Sequence, residues 1–135
     1  MDARRISAAT PLELLIINYE LLLSSIEKAE KNINLSEELH LAQRLLHNLT
    51  ISLDMEMELS SEILPLYNYV NKVLTDCQIK AHKKDSYLYI KKQLQPAKEV
   101  LTNLFNAVKT LPDIDDYKEN PIENAYNINK KDYEG

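Results

Sequence analysis

TPLELLIINYELLLSSI, residues 10–26, decides how this chain folds. Thr10 and Glu13 have the T-x-x-E spacing of a capping box, in which each side chain satisfies a backbone N–H of the other residue. Pro11 fills the first helical position, where its missing N–H would have been unpaired anyway. Wound at about 100° per residue, Leu12, Leu15, Ile16, Tyr19, Leu22, Leu23 and Ile26 share one face. Leu14, Ile17 and Leu21 fall on a second, roughly opposite face, with Glu13, Glu20 and Glu27 as an acidic ridge on the flank between. A bundle helix needs one apolar stripe, and this one has two. The helix is therefore either sandwiched at the centre of the fold or keeps its second face for a partner.

Composition narrows the fold class. At 135 residues the chain has the length of one domain. Its only glycine is Gly135. Tight β-turns need positive φ angles that glycine usually supplies, so the composition favours helices joined by Asn-containing loops. Cys77 is alone, which excludes a disulfide framework and a thiolate metal cluster, and its apolar neighbours make it a core residue. No apolar run approaches the ~20 residues of a membrane span. The opening MDARRISAATP is not a secretory signal, so a soluble cytoplasmic protein is expected. A net charge of −5 argues against a nucleic-acid partner.

Helix one is expected from about Thr10 to Asn32, with Asn32 and Asn34 marking its exit. Ser36 is placed to cap helix two, whose stripe is Leu39, Ala42, Leu46, Leu49 and Leu53. The acidic run Asp54 to Glu62 reads as a loop, with Ser60 or Ser61 as the next cap and Pro65 in or near the first turn. Ile63, Leu66, Val70, Val73, Leu74 and Cys77 form the third stripe, flanked by Leu64, Tyr67 and Tyr69. After a basic loop (Lys80, His82, Lys83, Lys84), helix four starts near Asp85. Its stripe runs unbroken through Tyr87, Ile90, Leu94, Ala97, Leu101, Leu104, Val108 and Leu111. Pro96 inside this run is expected to kink it, and Pro112 closes it. Beyond it the periodicity is lost. Seven acids (Asp113, Asp115, Asp116, Glu119, Glu123, Asp132, Glu134) face three lysines there, which is most of the net charge. The expectation is all-α: an antiparallel four-helix bundle over residues 1–111 and a disordered or loosely docked tail over 112–135.

Catalytic and metal chemistry find little support. Glu37-x-x-His40 is the only E-x-x-H, whereas a di-iron bundle needs two such pairs and further inward carboxylates. His40, His47 and Asp54 recur every seven residues, about 10 Å apart on a helix, too far to share a zinc ion. A phosphotransfer histidine fits poorly, because the residues after His47 offer a phosphate no basic or small side chain. No glycine-rich phosphate loop exists, and no Ser/His/Asp spacing singles out a triad. No enzyme, cofactor or metal is expected.

Three segments in register carry a resemblance. They are Thr10-Pro11-Leu12-Glu13 with Tyr19-Glu20, then Leu53-Asp54-Met55-Glu56, then Leu66-Tyr67-Asn68-Tyr69-Val70-Asn71-Lys72-Val73-Leu74. Over about residues 5–105 their order and spacing resemble the flagellar export chaperone FliS family. Tyr19 and Tyr69 match family positions and can equally serve the core. Many members carry a tyrosine in the N-terminal arm and an L-R-x-x-W motif in helix four. Here residues 1–9 have no tyrosine, and Leu94-Gln95-Pro96-Ala97-Lys98 keeps only the leucine.

The resemblance implies a cytosolic chaperone that binds the C-terminal segment of flagellin, prevents early polymerisation and delivers it to the flagellar type III export gate. The spare apolar face of helix one suits an amphipathic guest. The expected groove is lined by Leu14, Ile17, Leu21, Ile51, Leu64, Tyr67 and Asn71. Tyr117, Tyr126 or Tyr133 of the tail could fold over it in place of the missing N-terminal tyrosine. A regulatory bundle that self-associates through the same face, as a homodimer, is the competing reading.

Overall fold

The structure is a computed structural model that describes residues 10–111. It contains four helices: α1 (Pro11–Glu30), α2 (Leu35–Ile51), α3 (Glu58–Lys80) and α4 (Tyr87–Lys109). No strand occurs among the described residues. Each helix packs on its neighbours in a ring, α1 on α2 and α4, and α3 on α2 and α4. With linkers of only 31–34, 52–57 and 81–86, successive helices run antiparallel, giving the expected four-helix bundle. The tail 112–135 lies outside the described residues, as do residues 1–9.

The start of α1 follows the sequence reading. Glu13 N–H donates to Thr10 Oγ1 at 3.1 Å, and Thr10 N–H to Glu13 Oε1 at 3.4 Å, closing the capping box. The scarcity of glycine is met as expected. The left-handed backbone positions are taken by Asn32 (φ 58), Asn34 (φ 46) and Asp85 (φ 65), whose short polar side chains tolerate that region best after glycine.

Other boundaries differ from the sequence reading. Ser36 does not cap α2. Asn34 does so in a left-handed conformation, and its side chain makes no capping hydrogen bond. Neither Ser60 nor Ser61 caps α3, which begins earlier, after Met57. Ser60 instead lies buried inside the first turn, and Pro65 stands two turns into the helix. Pro96 is likewise inside α4. A proline nitrogen cannot donate to the carbonyl four residues back, so Ser61 and Lys92 each lose a helical partner. Helix four begins at Tyr87, two residues after Asp85.

One contiguous core joins the four stripes, with Tyr19, Leu22, Ile26, Leu39, Leu46, Leu74, Leu94 and Leu101 among its sealed side chains. Cys77 is buried in it, and burial pushes its thiol up to about 11. The inward face of α3 is rotated from the expected one. Leu66 is partly exposed, and Tyr67 takes the inward position between Ile63 and Val70. The Tyr67 hydroxyl meets that of Tyr19 at 2.6 Å. The Tyr19 ring stacks on Phe105 of α4, with centroids 5.9 Å apart.

Polar ties fasten two of the seams. Lys98 Nζ of α4 lies 2.8 Å from Glu30 Oε1 at the end of α1, and the Tyr87 hydroxyl donates to the Glu30 carbonyl. The Tyr89 hydroxyl donates to Asp76 Oδ2 at 2.7 Å, joining the start of α4 to the end of α3. That hydrogen bond, aided by nearby Lys80, holds the Asp76 carboxyl below its usual range.

Candidate partner-binding face

Leu14 and Leu21 are seven residues apart on α1 and remain open, 41% and 37% exposed. Between them Asn18 Nδ2 donates to the Leu45 carbonyl of α2 at 3.4 Å. This flank of α1 therefore looks along its seam with α2. Leu41 and Leu45 of α2 are half-buried. They sit off the Leu39–Ala42–Leu46 stripe at the four-residue spacing of a second, minor face. Leu41 was not among the expected groove residues, although that i, i+4 pairing with Leu45 is legible in the sequence.

Ile17 differs from its two companions. It is 4% exposed and buried, yet stands outside the contiguous core. It is not part of an open face. Ile51, the last residue of α2, is 67% exposed. Because α2 runs antiparallel to α1, it lies at the same end of the bundle as Leu14. Met55 in the following loop is also exposed there, and the sequence reading did not include it.

The α3 candidates lie elsewhere. Tyr67 is sealed in the core and presents nothing to a partner. Burial pushes its hydroxyl up to about 12, and burial likewise raises that of Tyr19. Leu64 is half-buried and packs on the core edge, and Asn71 is exposed. Four residues beyond Asn71, Thr75 Oγ1 accepts from Gln43 Nε2 of α2 at 2.9 Å, which marks this flank as the α2–α3 seam. The expected residues thus fall on two seams, Leu14 and Leu21 on one side of α2, Leu64 and Asn71 on the other. The outer face of α2 between them carries His40, Gln43, Arg44, His47 and Asn48 around a shallow concavity.

Tyr117, Tyr126 and Tyr133 lie outside the described residues. Among the described residues, no group of three or more His, Cys, Asp or Glu side chains is placed to hold a metal ion. None of the described helices is long and apolar enough to cross a membrane. What the surface offers is apolar area flanked by polar groups, which is chemistry for docking a chain.

A family model described as flagellar protein FliS matches residues 2–107. No curated protein and no solved structure matches the chain.

Proposed function

The chain belongs to the flagellar protein FliS family, and on that premise we propose that it is a cytosolic flagellar export chaperone for the C-terminal segment of flagellin. The carrying observation is the open apolar strip of Leu14 and Leu21 along the α1–α2 seam, with Ile51 at the same end of the bundle. Covering such side chains is worth about 1.5–3 kcal/mol each when burial is complete. A guest that is unfolded when free can lay an amphipathic helix on the strip and recover that energy on ordering. Held this way, the guest's own packing surface is hidden until release at the export gate. Leu64 and Asn71, across α2, offer a second contact line to a guest long enough to wrap around that helix.

The test is a calorimetric titration of a C-terminal flagellin peptide into the full chain, with helicity followed by circular dichroism. The expected outcome is binding with a gain of helix. Absence of binding at ~100 μM peptide, or a dimer of the chain that persists with peptide present, would overturn the proposal.

A further inference from the structure

Charge is distributed unevenly along this bundle. Residues 10–80 hold eleven acids against five basic side chains, whereas residues 81–109 hold six lysines against two acids. The basic part is the loop 81–86 and α4. In the structure its N-terminal half forms one outward patch. Leu88 is 77% exposed, the most open large apolar side chain of the bundle, and Lys84, Lys91 and Lys92 are exposed near it in sequence. Lys91 and Lys92, three and four residues on, share the side of α4 that carries Leu88, and Lys84 lies in the loop just before the helix. Among the described residues, Lys83, Lys84, Lys91 and Lys92 form no ion pair, whereas Lys80 and Lys98 do. A lysine-ringed leucine calls for an acidic segment with an apolar residue at its centre.

Such a segment follows α4 directly. Asp113, Asp115, Asp116, Glu119 and Glu123 alternate with Ile114, Tyr117 and Ile122. The lengths also match. A helix rises about 1.5 Å per residue, so Lys98 stands roughly 20 Å, and Leu88 roughly 34 Å, back along α4 from Leu111. An extended chain covers about 3.3 Å per residue, so the sequence from Leu111 to Tyr117 is long enough to span the distance to Lys98, and that to Ile122 the distance to Leu88. We propose that residues 113–126 dock back along the basic face of α4, with Asp115–Glu119 towards Lys98 and Ile122 and Glu123 against Leu88, Lys91 and Lys92. The covalent tether supplies an effective concentration near the millimolar range, so individually weak exposed pairs suffice. An acidic partner seeking this end of α4 would have to displace the chain's own tail. This docking is independent of any guest on the α1–α2 seam.

Zero-length carbodiimide cross-linking of the full chain, read by peptide mass spectrometry on the monomer fraction, tests it. At about 20 mM salt, Glu119 should link to Lys98 and Glu123 to Lys91 and Lys92 in preference to Lys28, Lys31 and Lys72, and about 0.5 M salt should abolish the preference. The variant Leu88→Ser, altered at an exposed position that leaves Lys91 and Lys92 in place, should weaken these links while keeping its helical content. Even linking to all lysines, or links confined to a dimer fraction, would overturn the proposal.

Discussion

Across the diagonal of the bundle, the hydroxyl oxygens of Tyr19 and Tyr67 stand 2.6 Å apart, with both residues sealed from solvent. The rest of the core is almost wholly apolar, so this hydrogen bond joins two helices that otherwise barely meet. It favours the rotation of α3 that turns Tyr67 inward to Tyr19.

Removing one member of the pair strands the other. Tyr67→Phe is expected to lower stability by about 1–3 kcal/mol, the cost of an unsatisfied buried hydroxyl. Tyr19→Phe added to it should restore most of that loss, since both ends then become apolar. Urea midpoints of the single and double variants check this. A double variant no more stable than the single would remove the hydrogen bond as the cause.

The same pair sets an alkaline limit. Tyr67 titrates at about 12 in the folded chain, and Tyr19 is raised as well, chiefly by burial. An unfolded tyrosine titrates near 10. Between these values the unfolded chain gives up its protons first, so folding holds more protons than unfolding. The contribution is complete below pH ~10 and is lost as pH rises towards 12. Urea midpoints from pH 9 to 11.5 should fall in the natural chain and fall less in the double Phe variant.

Binding and folding should separate on α1. Leu14→Ser with Leu21→Ser alters two open side chains and should change stability by no more than about 0.5 kcal/mol per site. The same change should weaken flagellin-peptide binding at least tenfold, roughly 1.4 kcal/mol or more. Ile17→Ala, three residues from Leu14, removes a buried side chain and should cost about 2–5 kcal/mol of stability. Calorimetry and thermal melts on the two variants distinguish face from core.

Caps offer a sharper contrast. Thr10→Ala breaks the capping box and should cost about 1 kcal/mol. Ser36→Ala, at a position that caps nothing, should stay within about 0.5 kcal/mol. Equal losses at the two sites would contradict the assignment of Asn34 as the start of α2.

Much of this architecture is legible in residue order, and the gaps have physical causes. The Thr10–Glu13 box and the 3-4 stripes of α2 and α4 are local signals, satisfied within one or two turns. The start of α3 is misread because Ser60 looks like a cap, whereas in the fold it is buried inside the first turn of the helix. Tyr67 reads as a flank residue because it is polar at its tip. The spacing Ile63–Tyr67–Val70–Leu74–Cys77 fits the core as well as the leucine-based stripe does, and only the partner 48 positions earlier decides between them. Of the expected open face, Leu14 and Leu21 are visible from periodicity alone. The burial of Ile17 is not, since it depends on what lies over α1 and not on α1 itself.

The seam between α1 and α4 has a consequence for the order of events during synthesis. Among the described helices the first and last share it, and Phe105 and Lys98 reach back to Tyr19 and Glu30. Until the ribosome has released α4, one flank of α1 lacks the helix it packs on. Docking the final helix is therefore the step that turns a sticky nascent chain into a closed bundle, and it requires contacts between residues far apart in the chain. Nascent chains stalled before residue 105 should accordingly recruit general holdase chaperones, and chains stalled after the helix has emerged should not.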